Sequence, residues 1–170
     1  MKQAVLKHEA RITQDLPGKT VIVTRDFDAP LEKVWRAFSQ RDILDKWWAP
    51  KPFGIETRSL DFKPGGIWHF CMLTTKGERF WWRVDYIAID PQRSITTTSG
   101  PSDENGSLND GIPTMQRVTE FKSTPTGTLV TITIKFEDEA HLQKMVEGGM
   151  LAGTTAVFNN LDELLGSDII

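Results

Sequence analysis

His69 and Cys71 stand two residues apart in the run Ile67, Trp68, His69, Phe70, Cys71, Met72. On an extended strand that spacing puts both on one face, where they could offer two ligands to a metal ion such as zinc. A closed site needs a further pair, and the remaining histidines, His8 and His141, fall in unrelated segments. Cys71 is the single cysteine, so it forms no internal disulfide. To act as a nucleophile it would need a base and an electropositive setting, which the sequence does not identify, and it reads as a buried inert thiol. Asp61, Arg79, Arg83, Asp85, Arg117 and Glu120 read as solvated cross-strand partners on an outer face. Any of them pointing inward would be a buried charge in need of a partner and would mark a site; Arg117 and Glu120 are the two to examine. No glycine-rich phosphate loop, nucleophile elbow or Ser/His/Asp arrangement is present, so no catalytic residue, metal or cofactor is assigned.

These residues must be held by a chain of 170 residues, enough for one domain with a substantial core. A net charge of −3 with both signs interspersed supplies no basic patch for nucleic acid or anionic lipid. No apolar run resembles a signal peptide or a membrane span, and a cytoplasmic protein is expected.

Residues 1–18 read as a polar N-terminal arm with short apolar pieces such as Ala4, Val5 and Leu6, closed by Pro17 and Gly18 and expected to pair with a sheet edge. Lys19 to Phe27 is rich in β-branched residues and predicts a strand. Asp28 is a candidate cap for a helix starting near Pro30, whose fixed φ suits a first helical position. Leu31, Val34, Trp35 and Phe38 recur at helical spacing on one face. Ser39 to Trp48 predicts a second short helix, stopped by Pro50 and Pro52. Strands follow at Ile55 to Phe62, Ile67 to Thr75, Arg79 to Ile89, Arg93 to Ser99, Met115 to Lys122 and Leu129 to Phe136, punctuated by turn residues such as Pro64, Gly65 and Gly66. Gly100 to Pro113 predicts a long loop of the kind that flanks sites. Glu137 to Leu165 carries a helical apolar period, with Gly148 and Gly149 either kinking the helix or marking its true start.

That order predicts an α+β helix-grip fold: a bent antiparallel sheet wrapped round a long C-terminal helix, in one domain spanning residues 19–168. The pattern Arg25, Phe27, Ala29, Pro30, Val34, Trp35, with Trp47, Trp48, Pro50, then Pro64, Gly65, Gly66, Trp68, Phe70 and the tail Gly153, Leu161, Leu164, resembles the activator-of-heat-shock-protein-90-ATPase homologues. The resemblance covers nearly all of Thr20 to Leu165. It implies the START-like superfamily, which shares the birch-pollen-allergen fold, and an internal cavity for an apolar or aromatic small molecule.

The period of two supports such a cavity from the residues alone. Trp68, Phe70 and Met72 share a strand face, as do Phe80, Trp82, Val84 and Tyr86, and Val130, Ile132, Ile134 and Phe136. Met150, Val157, Phe158 and Leu161 of the helix would lie opposite, and a filled core is the alternative to a pocket. The expected ligand-binding walls are Trp47, Trp68, Phe70, Met72, Trp82, Tyr86, Ile132, Met150 and Val157, with the Tyr86 hydroxyl as a polar handle. Trp47 and Trp48 cannot both face inward if the helix ends there, which leaves one at the pocket mouth or stapled to the sheet. Trp81 falls on the outer face, an exposed contact surface for a homodimer. The resemblance also leaves open an enzyme like the polyketide cyclases and aromatases, and a co-chaperone acting on a heat-shock ATPase. The eukaryotic activators carry an additional N-terminal domain, in place of which this chain has a short leader.

Overall fold

The computed structural model describes residues 8–168 and 170; Ala4, Val5 and Leu6 of the leader lie outside them. Strands β1 (Arg11–Asp15) and β2 (Thr20–Phe27) are followed by helices α1 (Leu31–Ser39) and α2 (Arg41–Trp47). Six strands come next: β3 (Gly54–Leu60), β4 (Ile67–Leu73), β5 (Arg79–Asp90), β6 (Ser94–Pro101), β7 (Met115–Thr124) and β8 (Gly127–Lys135). Helices α3 (Glu139–Glu147) and α4 (Met150–Leu165) complete the chain.

All eight strands form one antiparallel sheet in the order β1-β2-β8-β7-β6-β5-β4-β3. Because β2 and β3 stand near opposite edges, α1 and α2 must cross the sheet to join them, and they do so on the face that α4 also occupies. Register shifts occur between Thr57 and Ser59 and between Tyr86 and Ala88, irregularities of the kind that bend a strand and increase its twist. The arrangement is the expected helix-grip fold. The leader contributes β1, which pairs with the β2 edge, Arg11 opposite Thr24 and Asp15 opposite Thr20.

One local feature departs from the sequence reading, and a second decides between two alternatives it left open. Pro30 is itself the N-cap of α1, with extended backbone (φ −60°, ψ 150°), and the Asp28 carboxylate meets His8 Nε2 at 2.9 Å. The C-terminal helical region is two helices: Gly149 adopts φ 94°, a left-handed conformation in which a side chain is strained, and α4 begins at Met150. The start of α3 is fixed by Asp138, whose carboxylate accepts from the His141 backbone N–H at 2.7 Å.

Helix α4 is held on the sheet by Phe158 edge-on to Phe27, 5.6 Å between ring centroids, and by Arg25 of β2, whose guanidinium donates to Asn159 Oδ1 at 2.6 Å and lies 3.5 Å from Asp162. Asn160 Nδ2 donates to the Ala49 carbonyl at 2.9 Å, tying α4 to the end of α2. No helix among the described residues is long and apolar enough to cross a membrane.

Candidate functional site

Strand alternation carries Trp68, Phe70 and Met72 of β4, Phe80, Trp82, Val84 and Tyr86 of β5, Ile95, Thr97 and Ser99 of β6, and Met115, Arg117 and Thr119 of β7 to the concave face. With Phe38 of α1, Leu44 and Trp48 of α2 and its end, Met145 of α3 and Met150 of α4, they line a cavity of ≈ 340 Å³. Phe80 stands at its rim, 58 % exposed. A second cavity of ≈ 190 Å³ lies between the end of α2, β8 and α4, lined among others by Trp47, Ile132, Thr154, Val157 and Phe158. Trp48, Met72, Arg117 and Met150 face both.

The glycine corner before β4 positions the key tyrosine. Gly65 has φ 84°, and a Cβ on Gly66 would run into the Asp61 carbonyl. The Gly65 N–H donates to the Tyr86 carbonyl at 2.8 Å and the Tyr86 N–H to the Gly66 carbonyl at 3.0 Å, which holds Tyr86 over the cavity. Its ring meets Phe62 edge-on at 5.1 Å. Burial pushes the phenol well above its ordinary pKa, so Tyr86 presents a neutral hydroxyl and not a phenolate.

The nine expected wall residues divide between the two cavities. Trp68, Phe70, Met72, Trp82, Tyr86 and Met150 line the larger, and Trp47, Ile132 and Val157 line only the smaller, which Met72 and Met150 also face. Trp47 and Trp48 both turn inward, contrary to the expectation. Trp48 keeps helical backbone angles (φ −70°, ψ −15°) as the C-cap of α2, so the two rings project from one turn, 5.0 Å apart. Trp47 is buried, its indole N–H donating to the Ala37 carbonyl at 2.9 Å. Trp48 is the tryptophan at the larger cavity and stacks edge-on against Trp68 at 5.1 Å.

The decisive residue is Arg117. It faces inward, Glu120 outward. The Arg117 guanidinium carbon lies 5.5 Å from the Trp48 ring centroid, and its Nε is buried with no hydrogen-bond partner. Burial alone pushes its pKa down to about 10, with no carboxylate opposing the shift, so it is a cation at neutral pH. Register sets Thr97 directly opposite Arg117 and Tyr86 directly opposite Thr97, a polar row across three strands. The sequence signal for this placement is the alternation Met115, Arg117, Thr119, Phe121, in which an arginine occupies the phase of two large apolar residues. The hydroxyls of Thr97, Ser99 and Thr119 and the walls Phe38, Leu44, Ile95, Met115 and Met145 carry no comparable signal, since their cavity role depends on which elements close over them.

The convex face holds the other candidates. His69 is buried there, stacked on Trp81 at 4.8 Å, and its Nε2 lies 3.1 Å from the Asp103 carbonyl oxygen. The Gly100 to Pro113 loop is strapped over this face by Arg58 to the Glu104 carbonyl (2.6 Å) and Arg83 to the Gly106 carbonyl (3.0 Å), and so covers the side opposite the cavity. Trp81, expected to be bare, is half-buried between His69 and the Arg58 guanidinium, which lies 5.5 Å from its ring. Cys71 is buried, and desolvation, then Glu56, raises its pKa, which keeps it a thiol. No group of three or more metal-binding side chains occurs among the described residues.

Residues 28–166 match the family model described as Activator of Hsp90 ATPase homolog 1-like protein. No curated protein matches the sequence. Among solved structures, a Mycobacterium smegmatis protein superposes with a TM-score of 0.84 at 26% identity, over 91% of this chain and 95% of that one. An Arthrobacter aurescens protein solved in solution gives 0.86 at 23% identity, over 92% and 91%. A Staphylococcus epidermidis protein gives 0.83 at 22% identity, over 94% and 95%, and like the second it supports the fold alone.

Proposed function

The chain belongs to the Activator of Hsp90 ATPase homolog 1-like family, and from that premise we propose that it binds an apolar or aromatic small molecule in the cavity between sheet and helices. The observation that carries this reading is the ≈ 340 Å³ space itself, walled by Phe70, Trp48, Trp68, Trp82 and four methionines. Its size falls within the roughly 300–1,000 Å³ of small-molecule sites. An ordinary core at close-packed density would have filled it. Methionine is the side chain that best adapts to an uneven ligand, and Met145 and Met150 sit on either side of the glycine junction between α3 and α4. A binding role accounts for the wall better than proton-transfer chemistry: among the described residues the wall carries no carboxylate or histidine, and its phenol is held protonated.

Native mass spectrometry of protein purified from its own host, followed by extraction, tests the reading. A stoichiometric small apolar adduct is expected. Independently, the neutral probe N-phenyl-1-naphthylamine should bind and brighten, and Phe70→Arg should abolish that by setting a charge on the wall. A clean apo mass together with no probe binding would return the cavity to the status of loosely packed core.

A further inference from the structure

Arg117 is placed to read one end of a ligand, an inference that rests on the cavity being a small-molecule site. A cation facing an apolar cavity is ordinarily matched by a carboxylate of the same protein, since an unpaired buried charge is costly. Arg25 shows the ion-paired case: its Nε, like that of Arg117, is buried without a hydrogen bond, but Asn159 accepts from its guanidinium at 2.6 Å and the Asp162 carboxylate lies 3.5 Å away. Arg117 has no such partner among the described residues: its Nε is buried without a hydrogen bond, and none of the ion pairs there includes it. Trp48 supports the guanidinium through its ring face and leaves the planar donors unmatched. The remaining polar side chains on the wall of the larger cavity, apart from indole N–H groups, are hydroxyls, and Thr97 and Tyr86 continue the row from Arg117 across the sheet.

We propose that the cavity takes an amphipathic carboxylate, its aromatic or alkyl body against the apolar walls and its carboxylate on the Arg117 guanidinium. The fork of the guanidinium matches a planar carboxylate bidentately. Among the described residues no second cationic side chain lines the wall, so a phosphate dianion would bring one charge more than those residues neutralise. Between apolar walls the pair is stronger than on a surface, and the carboxylate supplies the partner the protein withholds. Desolvation of the unpaired cation agrees with this geometry.

The test uses probes of one shape and different charge: 2-naphthoate, neutral 2-acetylnaphthalene and 2-naphthyl phosphate, with binding to the full chain measured by calorimetry and by tryptophan fluorescence. Wild-type protein should bind 2-naphthoate about tenfold or more tighter than 2-acetylnaphthalene, as expected for a charge-assisted bidentate pair. Arg117→Met should erase that preference, bringing the ratio of the two affinities close to one. Equal affinities in the wild type, or a preference that survives Arg117→Met, would overturn the proposal and leave the cavity reading standing. Tighter binding of the phosphate than of the carboxylate would overturn the choice of head group. Failure of every probe, N-phenyl-1-naphthylamine included, would remove the cavity reading and this proposal with it. Should Arg117→Met not fold, Arg117→Gln and the wild-type comparison decide the same question.

Discussion

Two arginines of the concave face, Arg25 and Arg117, show how the same residue type can serve the fold or stand against it. Burial lowers the pKa of both, but at Arg25 the nearby Asp162 and Glu9 oppose the shift, whereas at Arg117 nothing does. Removing a partner of Arg25 should therefore be costly: Asn159→Ala leaves a buried donor unmet and should lower stability by about 1–3 kcal/mol in urea unfolding. Removing Arg117 should act in the opposite sense. Arg117→Met takes away an unpaired buried charge, loses a cation–π contact with Trp48, and should raise stability by a net of about 1–2 kcal/mol. A loss of stability instead would make Arg117 structural. The sign of the pH dependence follows: its folded pKa lies below the unfolded value, so the destabilisation is complete below about pH 10 and lifts as pH rises through that value. The carboxylate preference should likewise hold below about pH 10 and fade as pH rises through it, because the cation is the binding form. Tyr86 is the other titratable side chain facing that cavity, and its raised pKa keeps it neutral there.

At the level of elements, the two glycines flanking the start of α4 make opposite demands. Gly149 has φ 94° and separates α3 from α4, so Gly149→Ala should cost about 1–2 kcal/mol and lower Tm by several degrees. Gly153 lies inside α4, where an added Cβ would meet nothing within 4 Å. Gly153→Ala should therefore stabilise by about 0.5–1 kcal/mol through helix propensity, seen as a rise in Tm. The elements themselves were largely readable: β-branched runs, turn residues and helical spacing located the seven strands from Thr20 onward and α1 to α2. The break at Gly148 and Gly149 was visible as an alternative, and the positive φ of Gly149 decided it. The direction of Trp48 was not readable, because it depends on α2 continuing helical angles into its cap.

For the whole molecule, the consequence of a cavity is that ligand and fold stability are coupled. A ligand bound only by the folded state at one hundred times its Kd adds about 2.7 kcal/mol, so 2-naphthoate at that excess should raise Tm by about 5–10 °C. No shift with the wild type at saturating probe would contradict occupancy of the cavity. In Arg117→Met the shift at the same probe concentration should shrink toward that given by the neutral analogue, which separates loss of the head-group contact from loss of the cavity.

What the amino-acid order determined by itself was local and periodic: which segments are strands, which faces of β4, β5 and β8 are apolar, and that the corner Pro64, Gly65, Gly66 turns the chain. Those follow from backbone sterics and the period of two, which need no partner. The amino-acid order also singled out Arg117 and Glu120 as the strand charges to examine, without deciding which of them turns inward. Only the tertiary structure decided that Trp47 belongs to a smaller cavity with Ile132 and Val157, that Trp48 joins the two, and that the long loop covers His69 on the far side. It also decided that, among the described residues, no carboxylate pairs with Arg117. Each of these depends on which distant elements meet across the bent sheet, a matter of long-range packing that spacing along one strand cannot specify.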